Sequence, residues 1–205
     1  MKKFLTVIFL LSIGLISSCS DDEKGPAVER ISDDYQPNTV GSTWSYSSFL
    51  DFTQSIPNTT KLIDGKAYFA VKVSLFGTSA TTYMRKEDNS YFNRETADIQ
   101  YDDGEYIFLK DDEVGTTWTE YSYEEIEDEL VETEYELEIV ETGATRTVGD
   151  EEFDNVIVVK VSSFSDGAVD PYVVYNYYAK GVGLIEIADD GIGFANTELV
   201  SYTIK

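Results

Sequence analysis

The 205-residue chain has no histidine and only one cysteine. Without imidazole there is no Ser-His-Asp triad, no histidine acid–base work near neutral pH and almost no transition-metal site. A single thiol rules out any disulfide within the chain, and once that thiol is blocked, cysteine nucleophiles go with it. Positive charge is scarce as well: 15 Lys and Arg stand against 39 Asp and Glu, a formal charge of −24. Nucleic acid is therefore not an expected partner, because its binding rests on clustered cations that neutralise phosphate. Helix-spanning apolar runs are missing too. The mostly apolar stretch Phe4 to Ile16 stops at 13 residues, where a bilayer needs about 20. What remains for catalysis is a carboxylate pair of the glycosidase kind, and no pair stands out among so many acids. The composition points to a non-enzyme with no cofactor and no metal.

The same leading stretch says where the protein goes. Lys2 and Lys3, the short apolar run and the small residues Ser17 and Ser18 follow the plan of a secretory signal. Ile16-Ser17-Ser18-Cys19 resembles the lipobox of bacterial lipoproteins. That resemblance implies cleavage between Ser18 and Cys19, acylation of the Cys19 thiol and amine with palmitate-type chains, and a membrane as partner through the anchor. Two or more chains hold a protein stably at a bilayer. Ser20-Asp21-Asp22-Glu23 is similar to the export signal of Bacteroidota lipoproteins, which implies the outer membrane and its cell-surface face. The plainer alternative is a solvated acidic tether on a protein facing the periplasm. Loss of residues 1–18 removes Lys2 and Lys3, so −24 − 2 gives −26 on 205 − 18 = 187 residues.

Residues 19–36 read as the lipidated cysteine and a flexible acidic tether, with Gly25-Pro26 inside it. Residues 37–205 read as one domain whose two parts, about 37–113 and 114–205, echo each other. Val40-Gly41-Ser42-Thr43-Trp44-Ser45 returns as Val114-Gly115-Thr116-Thr117-Trp118-Thr119. Val71-Lys72-Val73-Ser74 returns as Val159-Lys160-Val161-Ser162, and Tyr83-Met84-Arg85-Lys86 returns as Tyr177-Tyr178-Ala179-Lys180. The order is kept while the offset grows from 74 to 88 to 94, as related halves with insertions would show.

Strand patterning runs through both parts. Val131 to Ile139 alternates apolar and β-branched residues with Glu132, Glu134, Glu136 and Glu138. Asn155 to Val161 and Tyr172 to Ala179 are denser and suit strands covered on both faces. Leu199 to Ile204 places Val200, Tyr202 and Ile204 on one side. Asp-Gly pairs at 64–65, 103–104, 166–167 and 190–191 fit tight hairpins, and 86–90 forms a further turn. Gly181-Val182-Gly183 reads as a bulge or bend. Only Tyr123 to Leu130, with Ile126 and Leu130 four apart, has a helical spacing. The fold class is all-β, with about a dozen strands in an antiparallel sheet curled into a barrel or sandwich. This body, with Tyr-Tyr-Ala-Lys-Gly-Val-Gly-Leu at 177–184, resembles the outer-membrane lipoproteins of Bacteroidota. The resemblance brings no catalytic residues.

Trp44 and Trp118 are the only tryptophans and occupy matching points of the echo, so they read as twin core anchors, or alternatively as a stacking platform for sugars. Tyr172 and Tyr175, with Tyr177 and Tyr178, point to both faces of one strand and are the remaining candidate ligand contacts. Asp102-Asp103-Gly104-Glu105 and Asp150-Glu151-Glu152-Phe153-Asp154 lack the calcium-loop spacing and read as acidic turns. The leading functional expectation is a lipid-anchored binding or assembly module with a glycan, lipid or protein partner. A periplasm-facing carrier of lipid in a barrel cavity comes second, and a carboxylate-dependent glycan hydrolase third.

Overall fold

The computed structural model describes residues 25–94, 100–101, 104–126, 129–165, 171–189 and 196–205. Among the described residues there are fourteen strands and no helix. The strands in the first part of the chain are β1 (Thr43–Ser47), β2 (Phe52–Ser55), β3 (Thr60–Ile63), β4 (Lys66–Leu75), β5 (Thr78–Glu87), β6 (Ser90–Arg94), β7 (Gln100–Tyr101) and β8 (Tyr106–Lys110). The second part supplies β9 (Thr117–Ile126), β10 (Glu129–Val148), β11 (Glu151–Ser165), β12 (Tyr172–Ala179), β13 (Gly183–Asp189) and β14 (Thr197–Thr203).

All belong to one antiparallel sheet, ordered β7-β9-β10-β11-β12-β13-β14-β1-β2-β4-β5-β6-β8, with β3 beside β4. The sheet curls until its ends meet, so the expected β architecture is a nearly closed barrel. At the meeting point β7 pairs with β9, and β8, a few residues further on, pairs with β6. Beside β8 the join is made by side chains. Trp118 Nε1 donates to the Ile107 carbonyl at 2.8 Å, and Ile107 N–H donates to Glu120 Oε1 at 3.1 Å. Curling in this way removes most of the unpaired edge that an open sheet would expose.

The alternation that marks 131–139 as a strand also sets its faces. Leu137 and Ile139 are buried, while Glu132 and Glu136 are exposed. β11 is apolar on both faces, as its density indicates: Val156 and Val158 join a core with Trp44, Phe69 and Ile185, whereas Ile157 and Val159 join a second with Tyr91, Leu109 and Leu137. Register shifts between Ile139 and Arg146 kink the β10–β11 ribbon, helped by Gly143 at φ 66° and Asn155 at φ 54°. The bend brings Val148 and Phe153 into the first core.

Three expectations are corrected. The described residues of 123–130 form no helix; 123–126 and 129–130 pair as the ends of β9 and β10, since β-forming Trp, Thr and Tyr upstream extend the strand and tertiary pairing outweighs one helical spacing. Val200 does not share a side with Tyr202. A bulge opposite Ser45 and Tyr46 turns Val200 outward and leaves Leu199 buried. The tether also ends earlier than residue 36, because Asp34 and Tyr35 are buried in the domain. Asn38 ties the preceding chain down: its N–H donates to the Ile31 carbonyl, its Nδ2 to the Glu29 carbonyl, and its Oδ1 accepts from Ile31 N–H at 2.7 Å.

Turn chemistry matches expectation at Asp64-Gly65, with φ of 51° and 79°, and at Asp88 in the β5–β6 turn. The pairs at 166–167 and 190–191, and Asp103, lie outside the described residues. A less expected turn joins β4 to β5, where Phe76 takes φ 49° ahead of Gly77. A bulky residue rarely adopts that conformation.

Candidate functional site: an apolar cavity in the barrel

Antiparallel order sends alternate turns to opposite ends of the barrel. One end holds the turns after β5, β10 and β12, and here the leading segment crosses the opening. Gly181 N–H donates to the Asp34 carbonyl at 2.8 Å, and Lys205 N–H donates to Ser42 Oγ at 3.2 Å. The Asp34 carboxylate accepts from Lys86 Nζ at 2.9 Å, from the Tyr91 hydroxyl and from Tyr35 N–H at 2.8 Å. Burial, then the hydrogen bond to Asp34, pushes the Tyr91 phenol well above its ordinary value. This floor is a charged group buried with its partners, which is how such groups are tolerated in a low-dielectric interior.

Above the floor lies a cavity of about 580 Å³. Gln36 forms its base, and Val73, Ala80 and Ile187 line it close to the turns of the opposite end. Its wall is mainly apolar, from Met84, Phe108, Leu137, Val161, Tyr178 and Leu184. A polar band crosses β5 to β10: Thr82 hydrogen-bonds Asn93, Asn93 Nδ2 donates to the Tyr106 hydroxyl at 2.9 Å, and Glu120 and Tyr135 continue the line. On the far wall Asn176 of β12 sits between Val159 and Ile187. Its Oδ1 is buried and has no hydrogen-bond partner among the described residues. Tyr178, beside it, is raised above its usual range by burial. The volume and lining are those of a small-molecule site rather than of a filled core.

A second charged group braces the wall. Glu105 accepts from Arg85 Nε at 2.9 Å and Nη2 at 2.7 Å, and also from Lys66 and Tyr68. Burial alone would raise its carboxyl, but these donors outweigh it and hold the group at about 2. Arg85 is sandwiched as well, 3.7 Å from the Phe92 ring centroid. At the end away from the floor, neighbouring turns carry Phe49, Leu50 and Phe76 exposed to solvent.

Cys19 and Ser18 lie outside the described residues. Trp44 is 2 % exposed in the core and donates to the Val182 carbonyl at 2.6 Å, so it offers no platform. Trp118 is half-buried at the barrel join, with Lys110 Nζ 5.1 Å from its ring. Tyr172 is exposed at the start of β12, and Tyr175 packs half-buried against the first core. The four do not converge on one site, and the cavity uses none of them. Of its lining, the sequence singles out only Tyr178, one of the candidate tyrosines of β12; Asn176 carries a further signal, since an amide in the middle of the aromatic and β-branched run Tyr172 to Ala179 is a poor strand former. Of the acidic turns, Glu105 is neutralised by cations, and Glu151 accepts from the Tyr202 hydroxyl at 2.8 Å. No acidic cluster among the described residues has metal-binding geometry.

No family model matches this chain, and no curated protein is similar to it. Two solved structures share its fold. One, from Parabacteroides distasonis ATCC 8503 and designated a lipoprotein, has a TM-score of 0.52 at 12% identity, covering 83% of this chain and 99% of its own. The other, from Bacteroides fragilis NCTC 9343, is designated an exported protein with a YmcC-like fold; its TM-score is 0.55 at 12% identity, with the same coverage. At that identity the likeness is one of fold.

Proposed function

We propose that this protein is a non-catalytic lipoprotein of the bacterial cell envelope whose barrel holds a small, mainly apolar ligand. The cavity of about 580 Å³ over a hydrogen-bonded floor carries the reading. It moves the carrier hypothesis ahead of the general binding or assembly module, because barrels with more strands than side chains can fill enclose cavities suited to ligands. The lipobox-like residues Ile16 to Cys19 support the anchor, and the fold shared with a lipoprotein and an exported protein agrees with it. The missing histidine supports a binding role over an enzymatic one. The same reading takes the two parts of the chain as copies of one unit. In support, Gly41 and Gly115 have φ of 88° and 90°, and both donate to an isoleucine carbonyl, Ile56 and Ile139.

Native mass spectrometry of Ser20–Lys205, exported to the periplasm of an expressing cell, tests the cavity. The expected result is an added discrete mass that solvent extraction removes. A bare chain that takes up no apolar dye overturns it. For the anchor, Cys19→Ala abolishes membrane retention; a variant that survives a carbonate wash in the membrane fraction contradicts lipidation. Protease shaving of intact cells separates the surface from the periplasmic face. A second reading, capture of a partner at the cell surface, draws on the exposed Phe49 and Phe76.

A further inference from the structure

The cavity contains more chemical information than its apolar area. Asn176 Oδ1 is a buried acceptor with no partner among the described residues, and leaving such a group unpaired costs free energy that a strand of Tyr and Val would not otherwise incur. An occupant with an O–H or N–H at that point removes the cost. The rest of the lining restricts the charge of that occupant. No lysine or arginine is among the described lining residues, while the Glu120 side chain is. A carboxylate or phosphate head would therefore enter a low-dielectric space with an acid and no cation among its described lining residues. The acidic chain as a whole adds to that repulsion.

We propose that the cavity takes an uncharged chain-like molecule carrying a hydroxyl or N–H donor, and that Asn176 Oδ1 accepts from that donor. This rests on the carrier reading and names its ligand class. It excludes ionised fatty acids and phospholipids as the preferred cargo, and it assigns specificity to one amide on β12. Apolar contact with Leu137, Val161, Tyr178 and Ile187 supplies affinity, while the amide selects among molecules of equal length.

The test compares three probes built on a twelve-carbon chain by titration against Ser20–Lys205, which contains every described strand and the segment that floors the barrel. The probes are 1-dodecanol, methyl dodecanoate and dodecanoate at neutral pH. The alcohol is expected to bind about tenfold more tightly than the ester and more tightly still than the anion. Asn176→Leu is expected to bring alcohol and ester within about twofold of each other and to raise the thermal midpoint of the ligand-free protein. Dodecanoate binding as well as the alcohol overturns the proposal while leaving the carrier reading in place. So does an alcohol preference that survives Asn176→Leu. Failure of all three probes overturns both. The wild-type series decides the matter even where the variant does not fold.

Discussion

The barrel is joined in two places by two similar short sequences, used in two ways. Where β14 meets β1, five residue pairs from Thr43↔Thr203 to Ser47↔Glu198 form a backbone ladder. Trp44 is then spared from pairing duty and reaches past its neighbour to the Val182 carbonyl in the turn after β12. Where β8 meets β9, Trp118 itself takes the Ile107 carbonyl and Glu120 takes the Ile107 N–H. The local turns are alike: Ser42 N–H donates to Thr39 and Thr116 N–H to Glu113, at 3.1 and 3.2 Å. Similar sequence thus gives a similar turn, while the neighbouring strand decides what the tryptophan does. One join is held by main chain and sealed by a buried ring. The other depends on two side chains, one of which also lines the cavity.

That contrast can be broken most severely at Trp44. Trp44→Ala removes a fully buried ring and leaves the Val182 carbonyl unpaired, so urea unfolding should show a loss of about 3–5 kcal/mol. Trp118→Ala should cost about half as much, and hydrogen exchange should quicken at β8 and β9 before it does at β1 and β14. Equal losses for the two variants would contradict the distinction between the joins.

Acid sharpens the comparison. Glu105 begins the segment that leads into β8, and its carboxyl is lowered to about 2 from an ordinary 4.5. A depressed carboxyl stabilises the fold fully above its unfolded value, and that stability is lost as pH falls through its folded value. Acidification from about pH 4.5 to about 2 should therefore loosen the β8 side first. With one tryptophan per join, Trp44→Phe leaves Trp118 as its reporter and Trp118→Phe leaves Trp44. Trp118 emission should shift red at higher pH than Trp44 emission. Glu105→Gln should remove most of this dependence and cost about 3–5 kcal/mol, since it strips the buried Arg85 of its buried charge partner and leaves it only the exposed Glu87.

The smallest effect lies in the shared turn. Gly41→Ala and Gly115→Ala each force a side chain into positive φ and should cost about 1 kcal/mol apiece. An added Cβ meets nothing nearer than Lys205 Cγ at 3.5 Å at the first position and nothing within 4 Å at the second. A large difference between the two would mean that the turns are not equivalent in energy.

Much of the fold was legible because strand periodicity is local. Val131 to Ile139 reveals its faces without any partner, and Tyr172 to Ala179 matches β12 to the residue. The cavity was not legible, since it depends on which strands meet and on the curvature that brings Leu137, Val73 and Asn176 around one space. Tyr35 shows another limit. In a window of acids and small polar residues its ring is averaged away, yet that ring and Asp34 fix where the domain begins. The helical spacing of Ile126 and Leu130 is the opposite case, a local signal overruled by pairing across the ribbon. The tryptophans were recognised as equivalent, but their different partners, 138 and 11 residues away in sequence, were beyond any local pattern.

The chain enters the barrel through its floor, and this has a mechanical consequence. Tension applied ahead of Gly25 reaches the Pro26 carbonyl on Thr60 Oγ1 first, at 2.7 Å, then the three-way clasp of Asn38 on residues 29–31, and only then Asp34. A molecule leashed from this end hangs by its base with its mouth turned outward, and a sharp tug unseats the stopper before it tears the wall.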